Sequence, residues 1–104
     1  MTEADDLLLQ FFGGYFHQDL DLMYSDPEEA FKSYLADHSV EEINALIGAL
    51  EGLLHAVTDD RALELKLLRS FGCAYDPGSA GMTYRQWLES ITSKGREEIA
   101  RRRA

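Results

Sequence analysis

The feature that most constrains the fold is a stripe of eight apolar residues that recur at helical spacing through the middle of the chain. Its members are Val40, Ile43, Leu46, Ile47, Leu50, Leu53, Leu54 and Val57. Residues spaced by three and four positions lie on one face of an α-helix. Immediately before them, Ser39-Val40-Glu41-Glu42 matches a capping box, in which a serine and a glutamate satisfy backbone amides of the first turn. The segment therefore predicts a long helix with one buried face.

Two glycines lie within this predicted helix, Gly48 and Gly52, four residues apart. A glycine in a helix interior costs about 1 kcal/mol relative to alanine, so its presence calls for a compensation. A residue without a Cβ atom allows a neighbouring helix or a bulky ring to approach closely. We therefore expect both glycines to face a close neighbour in the folded protein.

Apolar patterns of the same period predict helices before the stripe. Residues 7–12 supply an apolar face, and Gly13 and Gly14 are expected to end its helix. Asp26 and Pro27 read as the N-cap and the first residue of a second helix, since proline is favoured at the first helical position.

Similar signals follow the stripe. Thr58-Asp59-Asp60 predicts the start of a helix that ends at Gly72, and residues 73–82 have the composition of a loop. A second capping box, Thr83 with Gln86, opens a last helix. No segment of useful length alternates as a strand does. We therefore predict an all-α fold, in which residues 1–104 form a single compact domain of about five helices in an irregular bundle.

Negative charge is concentrated in the first sixty residues. They hold 14 Asp and Glu against one Lys, a net of −13, whereas the last 44 hold 5 acids against 9 bases, a net of +4. Such a block serves solubility or association with a basic partner, and a solvated acidic surface is the plain alternative. With a total of −9, the protein would be repelled by a phosphate backbone, so we expect no nucleic-acid binding. The basic run 101–103 is explained by the dipole at a helix C-terminus.

No pattern predicts catalysis, a metal or another cofactor. His17, Asp19 and Asp21 form a weak cluster without a further ligand at zinc or calcium spacing. The sequence contains no nucleophile elbow and no glycine-rich phosphate loop. Cys73 is the sole cysteine and is interpreted as a small buried hydrophobe, and His38 as a surface or partly buried residue. We therefore expect a protein that is not an enzyme.

The start of the chain, Met-Thr-Glu-Ala-Asp-Asp, is acidic where a secretory signal would be basic. No run of about 18 apolar residues is present, so we expect no membrane association. These observations predict a cytoplasmic protein, and we expect the free form to be a monomer.

Three segments resemble a family of immunity proteins from contact-dependent growth inhibition systems, the CdiI type. They are Phe11-Phe12-Gly13-Gly14-Tyr15-Phe16-His17-Gln18-Asp19-Leu20-Asp21-Leu22, Phe71-Gly72-Cys73-Ala74-Tyr75-Asp76-Pro77 and Tyr84-Arg85-Gln86-Trp87-Leu88. The resemblance extends from about Leu7 to Ile91, with one departure at Leu20, where the family pattern has a large aromatic residue. It implies a cytosolic inhibitor that binds the toxic C-terminal domain of a large secreted effector. Such a toxin is typically a nuclease with a basic surface, which an acidic block would complement.

The candidate contact residues are those of the acidic block around the first two capped helices. They are Asp19, Asp21, Tyr24, Asp26, Glu28, Glu29, Asp37, Glu41 and Glu42. The aromatic-glycine motif is interpreted mainly as architecture, with Tyr15 and Phe16 in the core and His17 and Asp19 fixing a reversal of the chain. An acidic helical adaptor or regulatory module that binds another basic protein is the alternative function.

Overall fold

A computed structural model describes residues 3–15, 27–73 and 77–103 of the chain. Within these ranges the chain forms helices and no strand, which confirms the all-α class. The α-helices are α1 Glu3–Tyr15, α2 Pro27–Asp37, α3 Val40–Ala56, α4 Asp60–Arg69 and α5 Tyr84–Arg103, and a 3₁₀ turn spans Pro77–Ala80.

Both predicted capping boxes are present. The Ser39 amide donates to the Glu42 carboxylate at 2.9 Å, and the Glu42 amide donates to the Ser39 hydroxyl at 3.2 Å. Thr83 and Gln86 make the equivalent pair of hydrogen bonds at 3.0 and 3.1 Å. Because these caps satisfy amides that have no partner within the helix, they fix the starts of α3 and α5.

The C-terminal ends of the helices differ more from the sequence prediction than their starts do. Gly13 and Gly14 do not end α1, which includes both and extends to Tyr15, the last described residue before a gap, so the predicted stop was wrong. The neighbouring rings of Phe11 and Phe12 are fully buried, and their packing outweighs the helix cost of glycine. Helix α4 ends at Arg69 with Ser70 as its C-cap, and Gly72 follows with a φ of +68°, a conformation that favours glycine.

Helix α3 lies at the centre of the described part of the molecule. It packs against α5 and α1, while α2 and α4 both contact α5. The apolar stripe supplies the core face of α3, as predicted. Its buried members are Ile43, Leu46, Ile47, Leu50 and Leu53.

The rings of α1 connect the two sides of this core. Phe11 meets Phe31 and Tyr34 of α2 at ring-centroid distances of 6.1 and 5.0 Å. Its neighbour Phe12 meets Trp87 of α5 at 6.1 Å. Aromatic pairs at these separations stabilise a core beyond the area that they bury. The apolar face of α1 therefore holds α2 in place beside α5.

The close approach expected at Gly48 and Gly52 was wrong. A Cβ atom built on either residue meets nothing within 4 Å, and both residues are exposed. Each lies two positions from Leu50, which at about 100° per residue turns it about 200° away from the core face. The close approach occurs instead at the buried Gly95 of α5, where a Cβ atom would lie 2.8 Å from Cδ1 of Ile47.

Candidate partner-binding surface

The structure describes five of the nine predicted contact residues, and all five are exposed. The other four, Asp19, Asp21, Tyr24 and Asp26, lie outside the described residues, as do Phe16 and His17 of the motif. The described residues fall into two groups at opposite ends of α2. Residues 28 and 29 occupy its first turn, and residue 37 ends it about 14 Å away along the helix axis. Residues 41 and 42 follow in the first turn of α3 and join the second group.

The first group is partly neutralised within the protein. Lys94 of α5 donates a hydrogen bond from Nζ to the Glu28 carboxylate at 2.6 Å. Both side chains are substantially exposed, so the pair contributes little to stability. Its main consequence is that a base offsets the negative charge at the start of α2.

The second group borders an open cavity of about 460 Å³ between α1, the end of α2 and the start of α3. Carboxylates of Glu41 and Glu42 line it on one side. Beside it, the Tyr15 hydroxyl donates to the Asp37 carboxylate at 3.1 Å and ties the end of α1 to the end of α2. We call this arrangement the acidic cavity.

Aromatic rings form another part of the wall of the acidic cavity, which Phe11, Tyr15, Tyr34 and His38 line. The rings of Tyr34 and His38 stack with centroids 3.9 Å apart and planes 20° apart. Tyr15 meets the Tyr34 ring edge-on at 5.3 Å. His38 Nδ1 lies 2.8 Å from the Tyr34 carbonyl oxygen, a distance that fits an N–H donor at the end of the helix. The cavity therefore combines flat apolar surfaces with carboxylates.

A base from the far end of the chain holds this end of α2. Arg102 of α5 donates to the carbonyl oxygen of His38 at 2.7 Å and to that of Leu35. The guanidinium is oriented by Glu98, whose carboxylate accepts from Nε at 2.6 Å. The last carbonyls of a helix have no partner within it, so Arg102 acts as a C-cap for α2.

The protonation states of the cavity follow from its contacts. Hydrogen bonds from the Ser39 amide and hydroxyl lower the pKa of Glu42, and His38 lowers it further. Burial raises the pKa of Tyr34 to about 12, with added repulsion from Glu42 and Tyr15. At neutral pH the cavity thus presents a neutral, buried tyrosine beside an ionised carboxylate.

The carboxylates at the acidic cavity are not held in ion pairs within the described part of the chain. Among the described residues, no Lys or Arg forms an ion pair with Asp37, Glu41 or Glu42. Glu41 has neither an ion-pair nor a hydrogen-bond partner in the described ranges. Elsewhere Arg96 pairs with Glu51 and Arg85 with Asp60, so these two acids of the block are neutralised while those beside the cavity are not.

The aromatic side of the cavity was not anticipated from the sequence. The sequence did indicate the Tyr34–His38 pair, because residues four positions apart share one face of a helix. No spacing rule joins Tyr15 to them, since it belongs to a different helix. Tyr15 is half-buried and packs against the core, in line with its predicted role.

Of the other candidates for chemistry, His17, Asp19 and Asp21 lie outside the described residues, and Cys73 lies within them. Cys73 is buried, in line with its interpretation as a small hydrophobe. No group of three metal-ligating side chains occurs in the described ranges. Within the same ranges, no helix combines the length and apolar character needed to cross a membrane.

Comparisons with known proteins identify relatives of the chain. A family model described as CdiI immunity protein matches residues 6–94. A chain in the crystal structure of a CdiA-CT/CdiI complex from Y. kristensenii 33638 is similar, with a TM-score of 0.83 and 23% sequence identity. The similarity covers 90% of this chain and 95% of that one. At this identity the likeness concerns the fold. No curated protein matches the chain.

Proposed function

The chain belongs to the CdiI immunity protein family, and from this premise we propose that it neutralises the toxic C-terminal domain of a cognate contact-dependent growth inhibition effector. It acts in the cytoplasm by stoichiometric binding and catalyses no reaction. The observation that carries the proposal is the acidic cavity, where carboxylates without ion-pair partners stand beside buried and half-buried aromatic rings. Charge of one sign next to buried rings is the composition of a protein-recognition surface.

The two parts of this surface have different tasks. Long-range attraction from the carboxylates raises the association rate with a basic partner. Contacts to the rings control how long the complex lasts, because desolvated aromatic contacts contribute most to binding free energy. A nuclease fits this partner, since the surface that grips phosphates must be basic. The nine contact residues predicted from the sequence are proposed to lie in or around the interface.

Protection of cells tests the proposed function. The chain is expressed in cells that receive the toxin domain encoded beside it and, separately, in cells that receive a toxin domain of another class. We expect survival in the first case only, because an inhibitor must match one partner. Protection against both toxins, or against neither, contradicts the proposal. Binding to a basic protein without protection would favour the adaptor function instead.

A further inference from the structure

We propose that the acidic cavity accepts the side chain of one arginine from the toxin domain. This inference rests on the proposed function and goes further, since it names the chemical group that the cavity recognises. It follows from three features of the cavity: aromatic rings in its wall, a carboxylate without a partner, and the unpartnered hydroxyl of a largely buried tyrosine.

The hydroxyl belongs to Tyr34. This side chain is 5% exposed, yet its hydroxyl has no hydrogen-bond partner among the described residues. Every fully buried side-chain nitrogen or oxygen atom in the described ranges does have a partner. The Tyr34 hydroxyl must therefore retain contact with open space, and the open space next to Tyr34 is the cavity. An oxygen placed in this way is ready to accept a hydrogen bond from a ligand.

The carboxylate belongs to Glu41. It lines the same cavity, is exposed, and has no partner in the described ranges. Glu42 lies next to it, but the capping box already occupies one of its oxygens. The cavity thus offers two kinds of acceptor and a net negative charge. Its ligand should be a cation rich in hydrogen-bond donors.

The rings decide between the two cationic side chains. The wall of the cavity contains the rings of Tyr15, Tyr34 and His38. Tyr34 and His38 stack on each other with centroids 3.9 Å apart, and Tyr15 stands edge-on to Tyr34. A guanidinium is planar, stacks on aromatic rings and binds a carboxylate with two parallel hydrogen bonds. A lysine ammonium is a compact, strongly hydrated point charge and uses flat surfaces less well. The volume of about 460 Å³ falls within the range of clefts that enclose a small ligand.

Filling the cavity without changing its charge is the first test. Ala45 lines the cavity and is exposed on α3, whereas its exposed neighbour Asn44 does not line it. We expect Ala45→Trp to weaken binding of the toxin domain roughly tenfold or more, as loss of a central contact does. Asn44→Trp adds the same ring beside the cavity and should bind within about threefold of wild type. Equal affinities of the two folded variants would overturn the proposal.

A double-mutant cycle identifies the occupant. Each arginine of the toxin domain is changed to lysine and each lysine to methionine, and every variant is measured against wild type and against Glu41→Gln. We expect one arginine whose replacement weakens wild type strongly and Glu41→Gln much less. Glu97→Gln is the control, because Glu97 is an exposed glutamate on α5 away from the cavity. Coupling of Glu41 to a lysine, or to no basic residue at all, would overturn the assignment of an arginine.

The experiments distinguish an error in the arginine site from an error in the proposed function. If wild type does not bind the toxin domain, the proposed function is wrong and the arginine site falls with it. If wild type binds tightly while Ala45→Trp and Glu41→Gln bind equally well, the function stands and the arginine site is wrong. Circular dichroism and a thermal melt of each variant come first. Should Ala45→Trp fail to fold, the Glu41→Gln cycle decides alone.

Discussion

The carboxylate of Glu42 serves two purposes, because it closes the capping box of α3 and lines the acidic cavity. Hydrogen bonds from Ser39 favour its ionised form and lower its pKa in the folded protein. A residue whose pKa is lower when folded stabilises the fold at neutral pH. That contribution is lost as pH falls from the ordinary glutamate value, about 4.3, through the lower folded-state value.

This coupling can be measured with Glu42→Gln, which keeps an oxygen to accept from the Ser39 amide but cannot ionise. We expect wild type to lose more stability than the variant between neutral pH and the acid end of this window. Urea denaturation at a series of pH values gives the difference. Because Glu98 also has a lowered pKa, owing to Arg101 and Arg102, only the difference between the two proteins is informative. If the stabilities of the two proteins fall in parallel with pH, the pKa of Glu42 does not differ between the folded and unfolded states.

At the scale of helices, the contact of α3 with α5 depends on Gly95. Its missing Cβ atom leaves the space that Ile47 occupies, whereas Gly52 faces open space. We therefore expect Gly95→Leu to destabilise the protein by about 1–3 kcal/mol through overpacking. Gly52→Leu should instead stabilise it by up to about 1 kcal/mol, because leucine favours a helix more than glycine does. Chemical denaturation of the two variants compares them, and a higher midpoint for Gly95→Leu would refute the packing argument.

A second contact between helices is the C-cap that Arg102 provides for α2. Replacement by methionine keeps the apolar stem and removes the donors to two carbonyl oxygens. We expect Arg102→Met to cost about 1.5–3 kcal/mol, the range for hydrogen bonds to a charged group. Arg103→Met is the matched control, because Arg103 is exposed in the same last turn. Thermal melts should separate the two variants; if their midpoints agree, the cap contributes nothing measurable.

These two contacts mark the boundary of what the sequence could predict. The capping boxes and the core face of α3 depend on residues a few positions apart, and both predictions are confirmed. Gly52 was expected to face a close neighbour, and this was wrong. Its spacing of two residues from the apolar Leu50 already places it on the opposite face of α3. Gly95 and Arg102 find their partners 48 and 64 residues away. Their roles depend on how helices pack, which no local pattern records.

Across the whole molecule, the two halves of the charge pattern meet along α5. Bases of the last 44 residues pair with acids of the first sixty. The pairs are Glu28–Lys94, Glu51–Arg96 and Asp60–Arg85. Exposed ion pairs contribute about 0–1 kcal/mol each, so their larger effect is on the surface potential. The ion pairs reduce the negative potential along α5, whereas the carboxylates at the acidic cavity form no such pair among the described residues.

This distribution predicts that equal changes in charge have unequal effects on association. Asp37→Asn with Glu41→Gln removes two charges beside the cavity, and Glu28→Gln with Glu29→Gln removes two at the start of α2. We expect the cavity pair of substitutions to slow association with the toxin domain roughly tenfold at low salt and to remove much of its salt dependence.

The α2 pair should slow association less, because Lys94 already offsets Glu28. Both variants are first checked for folding, since acids in the first turn of a helix favour its dipole. Stopped-flow measurements at several ionic strengths then give the association rates. Equal slowing would mean that the partner responds only to net charge, because both variants change that charge by two. If neither variant slows association, steering does not come from these carboxylates, and the binding face must be sought on the apolar or basic surface after Arg61.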